Sequence, residues 1–290
     1  MAKLLMLRGL PASGKSTRAK QLVGTSGNYV RVNRDLLRTM LHYDKWSPHN
    51  ESKTIEAEKA LVTAMLSSKW SVIVDDTNLA PKHLKMWSEL AEAAGATFEV
   101  ERMDTAVDEC VLRDIGREKA VGRHVIVNKA LQYGLYPRPE KGFVLCDLDG
   151  TLCDITHRLH HLSGKAKKDW HGFFSDIPGD TPRYEVMDML RQYKAAGHEV
   201  IFVSARPEQY RDVTEEWIGK AFNWERMHET LIMRKDRDSR DDTLVKQEIY
   251  DTYFKNQYPI EVVIDDRPKV IRMWRSNGLN VIDVGPGIDF

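Results

Sequence analysis

The sequence has 290 residues, of which 42% are hydrophobic and 30% charged, and its acidic and basic residues balance to a formal net charge of zero. This length fits two domains that each bury a core, and the composition excludes a disordered or low-complexity chain. No apolar run is long enough for a signal peptide or a membrane span, and the three cysteines lack the spacing of a zinc site, so we expect a folded cytoplasmic protein without disulfides or a membrane partner.

The first half of the sequence alternates short apolar strands with helical segments. A helix is predicted over 51–68, where apolar residues recur at helical spacing, and strands are predicted at 4–7, 29–32, 72–74 and 97–100. Strands that alternate with helices form a parallel sheet covered on both faces. We therefore predict an α/β domain over residues 1–137.

A glycine-rich loop, Gly-Leu-Pro-Ala-Ser-Gly-Lys-Ser, follows the first strand and opens a helix. It matches the P-loop pattern in the strand–loop–helix context that this pattern requires. Gly9 and Gly14 would let backbone N–H groups face phosphates, Lys15 would reach the transferred phosphate, and the Ser16 hydroxyl would ligate Mg²⁺. With Thr17 supporting the same phosphates, the loop predicts an ATP site.

The residues after the next strands favour a kinase over a GTPase. Asp35 follows the second strand, where it can accept the proton of an acceptor hydroxyl, and Arg38 lies on the same helical face, where it can hold an acceptor phosphate. Asp76 stands at the end of the third strand. A basic run that could close over ATP, or form an ordinary solvated helix face, consists of Arg113, Arg117, Lys119 and Arg123.

A second α/β domain is predicted over residues 138–290. The stretch 134–142 is rich in proline and glycine and predicts a linker. Further strands are predicted at 143–146, 200–203, 231–233, 262–264 and 281–284. The two halves carry different motifs, so the second is not a repeat of the first.

Two aspartates, Asp147 and Asp149, directly follow the strand 143–146 in the sequence Asp-Leu-Asp-Gly-Thr. Ligands of open α/β sheets bind at this end of the strands. The motif also fits a calcium-like loop or a plain turn, but it resembles the haloacid dehalogenase superfamily. That resemblance implies a Rossmannoid sheet, a nucleophilic Asp147 and an Asp149 that acts as general acid and then general base.

Later strand ends supply the remaining parts of such a site in the expected order. Ser204 can hold a phosphate oxygen, and Lys246 can neutralise a phosphoaspartate. Asp265 and Asp266 can hold Mg²⁺ together with Asp147 and the backbone of Asp149. The sequence therefore predicts a Mg²⁺-dependent aspartyl phosphatase.

Taken together, these motifs resemble the phage polynucleotide kinase-phosphatases over nearly the whole chain. The resemblance implies that Asp35 is the general base for a 5′-hydroxyl, that Arg38 and Asp76 serve the acceptor, and that Arg113 and Arg117 serve the acceptor and ATP. In the second half it adds phosphate-site residues, namely Arg158, Arg206 and Asp242. It also implies a possible homotetramer.

The segment 159–182 departs from that family, within a small cap expected at about 153–182. Three histidines there, His157, His160 and His161, either bind a metal or form a polar surface turn. The aromatic residues Trp170, Phe173 and Phe174, beside Lys165, Lys167 and Lys168, either stack on bases or pack within the cap. We expect no chemical role for Cys153.

The predicted function is repair of nucleic-acid ends. The first site would transfer the ATP γ-phosphate to a 5′-hydroxyl of RNA or DNA, and the second would remove a 3′-phosphate through phospho-Asp147, both with Mg²⁺. Two alternatives stay open. One is a fused kinase and phosphatase for nucleotides or small metabolites, and the other is a module that binds broken ends without catalysis.

Overall fold

The structure, a computed structural model, describes residues 1–163, 168–222 and 230–286. The chain forms two compact units, Met1–Tyr133 and Gly134–Phe290, whereas the sequence predicts the division after residue 137. None of the helices in the described ranges is long and apolar enough to cross a membrane.

The first unit is built on a four-stranded parallel sheet in the order β2-β3-β1-β4. Its strands are β1 (Lys3–Arg8), β2 (Tyr29–Val32), β3 (Ser71–Asp75) and β4 (Thr97–Arg102). Its helices are α1 (Lys15–Ser26), α2 (Arg34–His42), α3 (Pro48–Ser67), α4 (Pro81–Ala93), α5 (Val107–Ile115) and α6 (Arg123–Gln132). Every residue of β3 is buried, as expected for an inner strand covered on both faces.

Local capping explains where the helices of this unit begin. Gly14 precedes α1 with φ +97°, a left-handed conformation that glycine adopts without strain. The Asn33 side chain accepts from the Leu36 amide and starts α2. Ser47 caps α3 and Pro48 occupies its first turn, so this helix starts earlier than the predicted range 51–68.

The second unit contains a five-stranded parallel sheet in the order β11-β10-β5-β8-β9. The strands of the unit are β5 (Phe143–Cys146), β6 (Cys153–Asp154), β7 (Thr181–Pro182), β8 (Glu199–Pro207), β9 (Thr230–Arg234), β10 (Ile260–Asp265) and β11 (Val281–Asp283). Its helices are α7 (Trp170–Ser175), α8 (Tyr184–Ala195), α9 (Arg211–Phe222), α10 (Asp242–Tyr253) and α11 (Pro268–Ser276). The predicted fold class, two α/β domains with parallel sheets, is confirmed.

An excursion leaves this sheet between β5 and β8. Its base is closed by β6 and β7, which pair antiparallel. Between them lie α7 and two short 3-10 helices, Thr156–His161 and Ile177–Gly179. The excursion covers the segment predicted as a cap, and that role stays a prediction.

Candidate active sites

The glycine-rich loop lines a cleft of about 910 Å³ in the first unit, with Gly14, Lys15, Ser16 and Thr17 on its wall. Lys15 is buried, and its ammonium donates to the carbonyls of Gly9 and Leu10 at 3.1 and 2.5 Å and to Ser13 Oγ at 3.2 Å. Burial lowers the pKa of Lys15 to about 8. The lysine is therefore held inside the loop, where a bound phosphate would favour its charged form.

Gly9 has close neighbours beneath the loop, and its part in phosphate binding stays a prediction. It is absent from the residues that line the cleft. A Cβ at this position would lie 2.7 Å from Ser13 Oγ and 2.9 Å from the Met103 carbonyl oxygen. The glycine is needed for close packing beneath the loop.

Asp35 and Arg38 face the same cleft from α2. The Asp35 side chain is 74% exposed, and its Oδ1 lies 2.6 Å from Arg38 Nη1. The same guanidinium pairs with Glu51 through Nη2 and Oε2 at 2.9 Å. Arg38 is thus held between two carboxylates, and the exposed one, Asp35, is open to the cleft.

Asp76, also on the cleft wall, belongs to a buried network that the sequence analysis missed. The Glu58 side chain is fully buried and accepts from Arg34 Nε and Nη2 at 2.9 and 2.6 Å, while Asp76 Oδ1 accepts from the Arg34 amide at 3.0 Å. Burial raises the pKa of Asp76 well above its ordinary value, and the Glu58 carboxyl raises it further. Within the described ranges, Glu58 Oε1 and Asp76 Oδ2 are buried without a hydrogen-bond partner, and one proton between the two carboxyls would satisfy both.

Asp75, at the end of β3, also lines the cleft and was not predicted as a site residue. Its side chain is buried and pairs with Arg31 Nη2 at 2.6 Å. The Asp75 carboxylate and the Ser16 hydroxyl are hard oxygen ligands on one cleft, and this donor set fits Mg²⁺. The signal for Asp75 was its place as the first carboxylate after a buried strand.

Arg113 and Arg117 reach the cleft from α5 and the loop that follows it. Arg113 pairs with Glu109 at 2.7 Å, and Arg117 pairs with the buried Asp114 at 2.9 Å. Asp114 also accepts from the amides of Val121 and Gly122 at 2.9 and 2.8 Å. Asp114, which the sequence analysis did not single out, thus ties the loop between α5 and α6 to α5.

The other two basic residues of that run lie elsewhere. Lys119 Nζ lies 2.8 Å from Asp44 Oδ2 and donates to Thr39 Oγ1 at 3.1 Å. Arg123 begins α6. Lys119 is therefore tied to α2 and the residues that follow it.

The second site lies at the carboxyl ends of β5 and β10. Asp147 Oδ1 and Asp265 Oδ2 lie 2.9 and 2.8 Å from Lys246 Nζ. One carboxylate oxygen each from Asp147, Asp265 and Asp266 lies within 4.8 Å of the other two. Burial raises the pKa of Asp147 well above its ordinary value. The Lys246 ammonium opposes this shift, and the carboxylates of Asp265, Asp266 and Asp149 add to it. An all-oxygen donor set with uncompensated negative charge fits Mg²⁺.

Asp149 makes a different set of contacts. Its Oδ1 accepts from Arg158 Nη2 and Arg206 Nη2, each at 2.5 Å. Burial acts to raise the pKa of Asp149, but the two guanidinium groups outweigh it and hold that pKa well below its ordinary value. The Asp149 carboxylate is therefore ionised while both arginines remain in contact with it.

Asp180, which belongs to no motif in the sequence, contacts the same two arginines as Asp149. Its buried carboxylate contacts Arg158 Nε at 2.6 Å and Arg206 Nη2 at 2.7 Å. Two guanidinium groups and two carboxylates, Asp149 and Asp180, form a neutral quartet. The Arg158 and Asp180 positions are 22 residues apart in the chain, a separation at which no local sequence signal links them.

Ser204 and Asp242 occupy supporting positions in this site. Ser204 is buried on β8, and its Oγ accepts from the Arg206 amide at 3.2 Å. Asp242 begins α10, one turn before Lys246 on the same helix, and its carboxylate binds Arg234 and Arg267. Both residues lie near the aspartates, and their roles stay predictions.

The loop between Asp149 and β6 depends on a glycine. Gly150 has φ +83°, and a Cβ there would lie 2.2 Å from Asp266 Oδ2. Thr151 Oγ1 donates to Asp266 Oδ1 at 2.9 Å. Arg183 Nη1 donates to the carbonyl of Gly150 at 2.6 Å. These contacts fix the loop after Asp149 against Asp266, one of the predicted metal ligands.

Within the excursion, Phe173 and Phe174 are buried in the core of the second unit, which favours the packing alternative for both rings. Trp170 is about half exposed. Lys165 and Lys167 lie outside the described residues. Cys153 is buried, and burial raises the pKa of its thiol well above the ordinary value. A neutral thiol agrees with the expectation that Cys153 has no chemical role.

Comparison with known proteins finds a family match for each half of the chain. The family described as "Polynucleotide kinase PNKP phosphatase domain" matches residues 141–290, and the family described as "AAA domain" matches residues 4–132. The chain is similar to a bifunctional polynucleotide kinase/RNA ligase of Autographa californica nuclear polyhedrosis virus, with 29% identity over 94% of this chain. It is also similar to a bifunctional polynucleotide phosphatase/kinase of Schizosaccharomyces pombe, with 38% identity over 31% of this chain.

The chain spans less than half the length of these two relatives, 41% of the viral protein and 18% of the yeast protein. Among solved structures it is similar to a chain from the Pnkp1/Rnl/Hen1 RNA repair complex, with 28% identity, 99% of this chain and 96% of that chain covered, and a TM-score of 0.42.

Proposed function

We propose an end-repair function from one premise: the chain belongs to the polynucleotide kinase PNKP phosphatase-domain family. In this proposal the first unit phosphorylates 5′-hydroxyl ends of RNA or DNA with ATP, and the second hydrolyses 3′-phosphate ends. One observation carries the proposal. The same chain combines a P-loop cleft that contains an exposed carboxylate with a buried two-aspartate site that contains a lysine and two arginines. The two relatives, each named for polynucleotide chemistry, support the substrate class.

In the kinase step, the acceptor's 5′-oxygen attacks the γ-phosphorus of ATP, the bond to the β-phosphate oxygen breaks, and ADP leaves. Asp35 accepts the hydroxyl proton, for which its exposed position in the cleft is suitable. Arg38 binds the acceptor's phosphate, and Asp76 supports the acceptor site. Lys15 and Arg117 neutralise the transferred group. Ser16 and Asp75 would hold the Mg²⁺ that accompanies ATP.

In the phosphatase step, an oxygen of Asp147 attacks the 3′-phosphate and Asp149 gives a proton to the leaving 3′-oxygen. Asp149 then takes a proton from the water that cleaves the phosphoaspartate. To donate in the first of these steps, Asp149 must already carry a proton when the substrate is bound. An incoming phosphate would compete for Arg158 and Arg206, and losing these partners would raise the pKa of Asp149. The substrate thereby prepares its own general acid.

Lys246 and the metal ligands complete the second site. Lys246 contacts Asp147, and from this position its ammonium neutralises negative charge on the phosphate. Mg²⁺ held by Asp147, Asp265 and Asp266 would supply further charge neutralisation at the reacting oxygens. Ser204 and Asp242 support the phosphate site. The proposed setting is the cytoplasm, and a homotetramer remains an expectation from the family resemblance.

A competition assay tests the substrate class. Phosphorylation of a labelled 5′-hydroxyl oligonucleotide is measured while unlabelled oligonucleotide, free nucleoside 3′-phosphate or a sugar alcohol is added. The proposal predicts strong competition by the oligonucleotide. It also predicts that Arg38→Ala raises the KM for the oligonucleotide acceptor. Competition by the free nucleotide alone would instead support a kinase for nucleotides or small metabolites, since the AAA-domain match leaves the acceptor open.

A further inference from the structure

Three side chains with metal-binding atoms converge on the excursion between β6 and β7. His160 and His161 end the 3-10 helix Thr156–His161, and Asp176 follows α7. One ligand atom from each lies within 4.8 Å of the other two, and the two imidazole ring centroids are 4.0 Å apart. Imidazole nitrogens with a carboxylate are the donors that Zn²⁺ and similar borderline divalent ions prefer.

A glycine makes room for one of these imidazoles. Gly172 lies inside α7, where glycine weakens a helix and its backbone freedom is not required. A Cβ at Gly172 would lie 2.5 Å from His161 Nδ1 and 2.6 Å from Asp169 Oδ2. The His161 ring therefore occupies the space that any other residue at position 172 would fill.

The two ring nitrogens of His161 lie between two carboxylates, and one of the nitrogens has no hydrogen bond within the described part of the chain. Nδ1 is buried, and no residue of the described ranges forms a hydrogen bond with it, although Asp169 Oδ2 lies 3.4 Å away. Nε2 lies 2.8 Å from Asp176 Oδ2. Asp169 uses its other oxygen to accept from the Gly172 amide at 2.9 Å. A second carboxylate thus stands beside the cluster in a fixed orientation.

His160 is oriented by a backbone contact. Its Nδ1 lies 2.8 Å from the carbonyl oxygen of His157. Because a carbonyl only accepts, Nδ1 carries the proton and Nε2 keeps a lone pair for a metal. A backbone partner on the second ring nitrogen is the usual arrangement of a metal-ligating histidine.

The other two clusters of this kind in the described residues differ in chemistry. Asp147, Asp265 and Asp266 offer oxygens alone, which suits Mg²⁺. The cluster of Asp149, Cys153 and Asp180 already binds the guanidinium groups of two arginines. Within the described chain, the histidine cluster is therefore the one suited to an ion of the Zn²⁺ class.

We propose that His160, His161 and Asp176 bind one divalent ion of the Zn²⁺ class, with water completing its coordination. The ion fastens the 3-10 helix to α7. The same 3-10 helix carries Arg158, and Asp180 lies four positions after Asp176 in the chain. The site therefore supports the buried arginine–aspartate pair of the phosphatase from the surface side.

The full chain, freed of metals with a chelator and kept in excess Mg²⁺, is titrated with Co²⁺ and then with Zn²⁺. Stoichiometry comes from mass spectrometry of the bound metal, and visible Co²⁺ bands report imidazole ligation. His160→Ala and Asp176→Asn remove exposed ligands, and His171→Ala is a matched control because His171 instead contacts Tyr210 at 3.2 Å. We expect wild type and the control to bind one equivalent more than the two ligand variants, whose affinity falls about tenfold or more.

A second variant and a stability measurement protect the test against simple misfolding. Gly172→Ala should displace His161 and lose the ion, although alanine favours the helix. Saturating Zn²⁺ should raise the Tm of wild type and of His171→Ala and leave the ligand variants unchanged. Equal metal content in wild type and His160→Ala, or a Tm that Zn²⁺ does not raise, would overturn the proposal. This outcome is independent of the kinase and phosphatase assays, because no substrate is present.

Discussion

Replacing Asp180 with asparagine should destabilise the second unit strongly. The Asp180 carboxylate is fully buried and accepts from Arg158 Nε and Nη2 at 2.6 and 2.8 Å and from Arg206 Nη2 at 2.7 Å. Asp180→Asn removes one of two negative charges that balance two buried guanidinium groups. Breaking a buried pair by removing one partner costs about 3–5 kcal/mol. For a domain of this size that corresponds to a Tm lower by roughly 6–20 °C.

The matched control is Asp188→Asn. Asp188 pairs with Arg191 at 2.6 Å, the same distance as between Arg158 and Asp180. Unlike that buried pair, the Asp188 and Arg191 side chains are both largely exposed. An exposed pair contributes about 0–1 kcal/mol, so this variant should unfold close to wild type. Thermal unfolding of both variants measures the difference, and the kinase assay should remain unaffected by either. If Asp180→Asn unfolds no earlier than Asp188→Asn, the buried quartet does not stabilise the second unit and the reasoning is refuted.

Gly150→Ala should abolish phosphatase activity because the new Cβ would lie 2.2 Å from Asp266 Oδ2. Gly219→Ala, whose Cβ meets no atom within 4 Å, should retain that activity. Equal phosphatase activities in the two variants would contradict the loop geometry. Burial lowers the pKa of Lys15 to about 8, so the free protein loses this ammonium as pH rises through that value. ATP affinity measured by calorimetry should therefore fall with rising pH in wild type and stay flat in Lys15→Met, and a wild-type affinity that rises instead would reverse the assigned sign. Glu58→Ala removes the carboxylate that accepts from Arg34 Nε and Nη2, and should lower kinase kcat/KM about tenfold or more. Glu58→Gln keeps an oxygen that can accept from Arg34 and should lose less activity. An unchanged phosphatase rate in both Glu58 variants is the control for folding of the whole chain.

Much of the fold could be predicted because its strands carry strong local signals. The strands β1, β3, β5 and β10 are short apolar runs that end at a glycine loop or at aspartates, and the structure has them where the sequence places them. The P-loop and the Asp-Leu-Asp-Gly-Thr motif are equally local, because each packs its chemistry into a few consecutive residues. Both motifs could therefore be located without knowledge of the tertiary structure.

The supporting carboxylates could not be predicted in the same way. Glu58 lies on a helix that reads as an amphipathic surface segment, yet it is buried by its pairing with Arg34, 24 residues earlier. Asp180 is likewise buried because two arginines far from it in the chain contact its carboxylate, whereas the partners of the buried Asp114 are backbone amides seven and eight residues later. A buried acidic residue of this kind looks like a surface residue in the sequence, since only the folded chain brings its partner within reach.

The central claim, that one chain repairs both kinds of end at two separate sites, is tested most directly with one oligonucleotide. A substrate with a 5′-hydroxyl and a 3′-phosphate is incubated with ATP and Mg²⁺ and followed by mass spectrometry in wild type, Lys15→Ala and Asp147→Asn. The account predicts that wild type gains the 5′-phosphate and loses the 3′-phosphate, that Lys15→Ala loses the first step alone, and that Asp147→Asn loses the second step alone. An oligonucleotide that wild type leaves unchanged, while ATP and free nucleotides are consumed, would contradict it.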